Sequence, residues 1–148
     1  MKKCIIFFIA INFFLVEKAA SQEYYFKHYK VEDGLSYNTI SSLLQDNAGF
    51  LWFGTKDGLN RFDGYTFKVF RNNPSNPKSI GSNYIKALHE FNGYLWIGTD
   101  KGLFRYSELD ESFELVLGTY NKPIIAIEND MDGNLWYIIG GVLYKLNI

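Results

Sequence analysis

The chain has 148 residues, with 15 basic and 16 acidic side chains for a net charge of −1, and a single cysteine. That balance leaves no basic footprint for nucleic acid, and one thiol supplies neither a disulfide framework nor a cysteine metal site. Aromatic residues make up 18% of the chain, so cohesion must come from apolar burial.

Residues 1–21 differ in kind from the rest. Lys2 and Lys3 precede an apolar run from Cys4 to Val16, and Ala19-Ala20-Ser21 stands before Gln22. The run is too short for a comfortable membrane span, and the small residues suit a signal peptidase, which reads as a secretory signal peptide. An uncleaved signal anchor is the competing reading. Cleavage would remove Lys2, Lys3, Lys18 and Glu17, changing 15 basic and 16 acidic residues to 12 and 15 and the net charge to −3. Cys4 would leave with the signal and precedes the apolar run, so it is no lipoprotein cysteine.

Residues 22–39 read as an outer strand and a loop. Tyr24-Tyr25-Phe26-Lys27-His28-Tyr29 resembles Tyr65-Thr66-Phe67-Lys68-Val69-Phe70, an orphan copy of a later strand. In closed propellers such a strand commonly completes the final blade and so removes a sheet edge.

From residue 40 the chain repeats. Trp52, Trp96 and Trp136 each follow a glycine by three residues and precede a basic residue by nine. In the first unit Ile40, Leu43 and Asp46 lead to Gly49, Leu51, Trp52, Gly54, Thr55, Gly58, Leu59, Arg61 and Phe62. The second gives Ile85, Leu88, Gly93, Leu95, Trp96, Gly98, Thr99, Gly102, Leu103, Arg105 and Tyr106, with Phe91 where Asp46 would fall. The third keeps Ile124, Ile127, Asp130, Gly133, Leu135, Trp136, Leu143 and Lys145. There Ile138 and Ile139 replace the Gly-Thr pair and the turn glycines move to Gly140 and Gly141.

Within a unit, short alternating runs are separated by turn residues. Strands are expected at 40–45, 51–55, 59–62 and 65–70 of the first unit. Four antiparallel strands in about 40 residues make one propeller blade. The pattern predicts an all-β partial propeller: blade 1 over 40–84, blade 2 over 85–120 and an incomplete blade 3 over 121–148. Blades bury their faces against one another, so the chain reads as the front end of a longer protein whose further blades are its partners.

Residues that invite a chemical role have structural alternatives. The three tryptophans could stack on sugar rings, but mid-strand recurrence in every unit marks inter-blade packing. Arg61, Arg105 and Lys145 could line an anion site, or pack their stems and meet carboxylates at blade edges. His28 and His89 are isolated and non-equivalent. Asp57, Asp63, Asp100, Asp110, Asp130 and Asp132 mostly occupy turns, where the side chain caps its own backbone. No calcium loop, nucleophile elbow, phosphate loop or zinc helix is present, so no catalytic, cofactor-binding or metal residue is assigned and no cofactor is expected. Asn38 and Asn83 end equivalent inter-blade loops, on a rim where scaffolds of this kind carry ligand contacts. Each could bind a ligand or simply turn the chain.

Leu-Trp-x-Gly-Thr followed by Gly-Leu-x-Arg-Phe/Tyr, after an upstream Asp-Gly-Leu-Ser-x-Asn-x-Ile, resembles the two-component regulator propeller repeat. The resemblance is strong at 51–62 and 95–106 and weaker at 135–146. It resembles in particular the amino-terminal periplasmic sensor region of Bacteroides-type hybrid two-component histidine kinases. The resemblance implies many such repeats, usually in two seven-bladed propellers, then a β-sandwich, an inner-membrane helix, a histidine kinase, a receiver and a DNA-binding module. It further implies a glycan breakdown product as ligand and a homodimer that relays binding to the kinases. The chain would then be periplasmic scaffold rather than enzyme. A free-standing secreted propeller that binds carbohydrate or protein is the alternative, and a propeller lyase or hydrolase is a third class, with no converging polar groups in its favour.

Overall fold

The computed structural model describes residues 23–147; the signal peptide expected over 1–21 lies outside them. Three antiparallel sheets follow one another along the chain. The first is β1 (Ser42–Gln45), β2 (Leu51–Gly54), β3 (Leu59–Phe62) and β4 (Phe67–Phe70), paired in chain order. The second is β5 (Ile85–Phe91), β6 (Tyr94–Thr99), β7 (Leu103–Ser107) and β8 (Ser112–Leu115). The third holds β9 (Ile124–Asn129), β10 (Asn134–Ile139) and β11 (Val142–Asn147). The all-β blades expected from the repeat are thus present, two of four strands and one of three.

The ladder register explains the recurring offsets. Trp52 faces Arg61, which faces Lys68; Trp96 faces Arg105, which faces Glu114; Trp136 faces Lys145. A tryptophan and a basic residue nine positions later are therefore cross-strand neighbours, close enough for ring and stem to pack.

Each blade buries one face on the next. Trp52 and Leu59 of the first sheet join Ile85, Leu95, Ile97, Phe104, Tyr106 and Phe113 of the second in one core. Trp96 and Leu103 of the second join Ile124, Ile127, Leu135 and Tyr137 of the third in another. Full burial of an aliphatic side chain is worth about 1.5–3 kcal/mol, and these two interfaces hold most of it. Aromatic geometry sharpens the first: Phe70 meets Tyr106 and Phe113 edge-on at 5.6 and 5.5 Å.

Glycine sets how closely blades approach. A Cβ on Gly54 would lie 2.7 Å from Ile85 Cγ2, and one on Gly98 would lie 2.9 Å from the Ile124 carbonyl oxygen. Backbone bonds then tie the strands across the gap, the Ile85 N–H donating to the Thr55 carbonyl at 2.9 Å and the Gly58 N–H to that of Asn83 at 2.8 Å.

Blade 1 carries a buried polar patch that blade 2 lacks. The Ser36 N–H donates to Asn60 Oδ1 at 2.8 Å, Asn60 Nδ2 donates to Ser36 Oγ at 2.8 Å, and Ser36 Oγ meets Thr55 Oγ1 at 2.9 Å. In blade 2 the corresponding pair is Gly81 and Phe104, packed so tightly that a Cβ on Gly81 would overlap the ring.

One region departs from expectation. Residues 23–30 form no strand, because a strand exists only through a pairing partner and no described strand pairs with them. They lead instead into a 3-10 turn over Val31–Asp33. In the third sheet, the hairpin closes on Gly140 and Gly141, with φ of 56° and 83° between the paired Ile139 and Val142. Two consecutive positive-φ residues are what a two-residue hairpin turn demands. That tight turn takes the place of the Gly-Thr turn of the other blades.

A Cβ at position 98 has backbone in its way, which cannot rotate aside. Gly98→Ala is expected to lower unfolding free energy by about 1–3 kcal/mol, as overpacking of a close interface does. A urea titration reads this directly, and an unchanged midpoint would show that the blades are not held at glycine distance.

Candidate functional site

The tryptophans form packing elements with a fixed anchor. Trp52 Nε1 donates to Asp46 Oδ2 at 2.7 Å and Trp136 Nε1 to Asp130 Oδ2 at 2.7 Å, while the other oxygen of each carboxylate accepts turn N–H groups. In blade 2, where Phe91 stands in place of the aspartate, its backbone carbonyl accepts from Trp96 Nε1 at 3.1 Å. Trp52 and Trp96 are almost wholly buried, so neither offers a face to a sugar. The sequence signal for this clamp was an aspartate six residues before the tryptophan, whose partner could not be read from spacing.

The recurring basic residues are each engaged locally. Arg61 lies over the Phe50 ring at 4.7 Å and meets Glu111 at 3.4 Å; Arg105 lies over Tyr94 at 4.4 Å and meets Glu114 at 2.5 Å. Lys145 lies over Trp136 at 5.4 Å and 4.0 Å from Asp130. Burial pushes the Tyr106 phenol beside Arg61 up to about 12, although the guanidinium opposes the shift.

The turn acids cap or pair. Asp63 accepts the N–H groups of Tyr65 and Thr66, which hold its carboxyl below the usual range. Asp110, hydrogen-bonded by Ser112 and Lys78, is also shifted down. Asp57 pairs with Arg71 at 3.0 Å, and Asp132 donates its N–H to Asp130 at 3.0 Å. His89 Nε2 sits 2.8 Å from Asn129 Oδ1, whereas His28 belongs to the segment outside the sheets. Among the described residues no group of three or more histidine, cysteine or acidic side chains is placed to hold a metal.

Asn38 and Asn83 do the same job in their two loops. Asn38 Oδ1 accepts the Val31 N–H at 2.9 Å, and Asn83 Oδ1 accepts the Asn72 N–H at 2.7 Å. Each amide thereby closes an inter-blade connection.

What the rim does expose is a polar cleft of about 320 Å³ between blades 1 and 2. The turn after β2 contributes Lys56, the inter-blade loop Asn72, Asn83 and Tyr84, and the turn after β6 Asp100 and Lys101. Ser82 Oγ donates to Asp100, and the Tyr84 N–H donates back to Ser82 Oγ at 3.0 Å, fixing the floor. The Tyr84 ring lies under two ammonium groups, Lys86 Nζ at 4.1 Å and Lys56 Nζ at 5.7 Å. Neither Lys56 nor Lys101 forms an ion pair among the described residues. An adjoining cleft of about 380 Å³ shares Asn72, Gly81 and Lys101 and has Phe104 and Tyr120 in its wall. The mirrored turns Lys56-Asp57-Gly58 and Asp100-Lys101-Gly102 were the sequence sign that lysines would gather here, legible only once the blades are placed side by side.

Residues 34–57 match the sequence profile described as two component regulator propeller. Over that stretch the chain is similar to the family's repeat. Its loop, first strand, turn and second strand of blade 1 fall inside the matched stretch. The chain is also similar to the histidine kinase P4 of Formosa agariphila, 47% identical over 73 residues, which is 49% of this chain and 5% of the kinase. In shape it is similar to the extracellular domain of the assigned hybrid two component system BT3049 from B. thetaiotaomicron. The TM-score is 0.72 at 28% identity, covering 82% of this chain and 19% of that one. The extracellular domain of BT4673 from the same organism, at TM-score 0.66 and 24% identity over 79% of this chain and 16% of that one, shares the fold. The chain thus spans a small part of each relative, and the part it spans in BT3049 is extracellular propeller rather than a catalytic domain. Among the described residues no helix is long and apolar enough to cross a membrane.

Two tests follow from this geometry. The N–H of Asn134, and then the indole of Trp136, hold Asp130 down to about 2 from its ordinary 3.8. A carboxyl lowered on folding contributes stability above its unfolded pKa and loses it as pH falls toward the folded value. Replacing Asp130 with Asn should therefore flatten the loss of stability between about pH 4 and pH 2 relative to the parent, measured as thermal midpoint against pH; parallel curves would exclude the clamp. The change Asn38→Ala should lower the thermal midpoint while leaving oligosaccharide affinity unchanged, because its amide only closes the loop to Val31. Lost affinity with an intact midpoint would instead make this amide a ligand contact.

Proposed function

We propose that this chain is part of the extracytoplasmic sensing propeller of a hybrid two-component regulator, located in the periplasm, and that its rim helps present a site for oligosaccharides released by glycan breakdown. The observation that carries the reading is the likeness of the blades to an extracellular domain of such a system over most of this chain. Further blades, a second sensor subunit and a kinase elsewhere in the complete protein belong to the same proposal. The chain's own role is to hold blade spacing and to supply rim groups, not to react.

The cleft at Lys56, Tyr84 and Lys101 has suitable chemistry. An aromatic face with flanking ammonium and amide groups can stack on a sugar ring and bind its hydroxyls, with specificity set by a few placed polar groups. Two unpaired lysines favour a ring bearing a carboxylate or sulfate over a neutral one.

Isothermal titration of the full chain with unsaturated hexuronate-containing disaccharides and with neutral xylo-oligosaccharides tests this. The acidic sugar is expected to bind more tightly, and Lys56→Ala with Lys101→Ala to weaken it at least tenfold, about 1.4 kcal/mol. Equal or absent heats for both sugars would remove the glycan assignment from this cleft.

A further inference from the structure

The two rim clefts form one groove. The polar cleft of about 320 Å³ contains Lys56, Tyr84 and Asp100, the adjoining one of about 380 Å³ contains Phe104, Phe113 and Tyr120, and Asn72, Gly81 and Lys101 belong to both. At that seam Gly81 presents backbone alone, as its contact with the Phe104 ring requires. Each part lies near the lower end of the roughly 300–1,000 Å³ that small-ligand sites span, which is room for a single sugar ring. Both are bounded by blades 1 and 2 and the connections that leave them.

The two parts differ in chemistry. The first has the ammonium groups of Lys56 and Lys101. In the second, Lys101 at the seam is the one charged residue among those that line it, and the rest are amides, a hydroxyl, prolines and apolar side chains. Asn73 Oδ1 accepts the Ser75 N–H at 3.0 Å and Asn76 Oδ1 accepts the Lys78 N–H at 3.0 Å. With both oxygens engaged, the orientation of each amide is fixed and its NH2 group remains to donate; among the described residues nothing accepts from either. The wall is also stiff. Ser79 Oγ accepts the Asn73 N–H at 2.9 Å and donates to the Asn73 carbonyl at 3.0 Å, while Pro74 and Pro77 fix their own φ. Opposite the amides, the Tyr120 ring is 74% exposed over a floor of buried Phe104 and Phe113.

We infer that the groove takes an acidic sugar joined to a neutral one, a uronic acid linked to a hexose or pentose. The carboxylate lies at Lys56 and Lys101, and the neutral ring crosses the seam, sets its C–H face on Tyr120 and accepts hydrogen bonds from the Asn73 and Asn76 NH2 groups through its hydroxyls. A second acid is disfavoured there. It would leave water for a cleft whose one cation is already engaged, and a charge buried without a partner is costly. A neutral ring meets no such penalty, and being tethered to the first it loses little further freedom on binding. The inference rests on the glycan reading above and adds to it the length of the ligand and the class of its second ring.

Isothermal titration of the full chain with glucuronic acid, a glucuronic acid–xylose disaccharide and a disaccharide of two glucuronic acids tests it. The xylose-bearing disaccharide is expected to bind about tenfold more tightly than the monosaccharide, and the diacid no more tightly than the monosaccharide. Asn73→Asp keeps the oxygen that the Ser75 N–H needs and removes the donors, so it should bring the ratio of disaccharide to monosaccharide affinity to about one. Tyr120→Ala, at an exposed position, should do the same, and it decides the matter if Asn73→Asp fails to fold. All three sugars binding equally, with Lys56→Ala and Lys101→Ala weakening each, would overturn the second ring's place and leave the glycan reading standing. A diacid bound more tightly than the xylose-bearing sugar, or a ratio that neither variant changes, would overturn the inference as well. No heat from any of the three would overturn both readings together.

Discussion

The approach of one sheet to the next governs the rest of this architecture. A glycine at the end of the second strand, Gly54 or Gly98, lets the first strand of the following blade come within direct backbone reach. At that distance Ile85 and Ile124 are fully buried, and the inter-blade hydrogen bond from Ile85 to Thr55 can form. Larger side chains outside that contact, Trp52 with Phe70 against Tyr106 and Phe113, fill the widening wedge between sheets. Small residues near the inner end and aromatic ones toward the outer edge are the two requirements of a radial stack, and both appear in the repeat.

That is why so much of the fold was legible in the sequence. Trp52 and Arg61 recur at an interval of nine because they are cross-strand partners, and Gly54 and Gly98 recur because the next blade allows nothing larger. The segment 24–29 shows the limit. Its likeness to 65–70 was visible, yet strand pairing depends on an edge that sequence does not locate. Spacing marks Asp46 as a repeat position and Asp130 as a turn cap but not either clamp, since the second oxygen of each reaches an indole brought near by folding.

The rim cleft was legible least of all. Lys56, Tyr84 and Lys101 come from two turns and one inter-blade loop, and none has a counterpart in all three units. Repetition reports what every blade needs, so it is silent about side chains that a single junction uses. Binding chemistry on such a scaffold resides where the units differ, on connections whose ends the strands hold in place.

The Ser36, Asn60 and Thr55 patch gives the units an order. Blade 2 has Gly81 and Phe104 in the equivalent places, so the flank of blade 1 accepts a hydroxyl-bearing loop and that of blade 2 an aromatic ring with bare backbone above it. Exchanging the two would strand an amide without its hydrogen bonds, at a cost of about 1–3 kcal/mol, and drive a phenyl group into a serine. Modules descended from a common unit are thereby keyed, and duplication can lengthen such a wheel far more readily than it can shuffle its spokes.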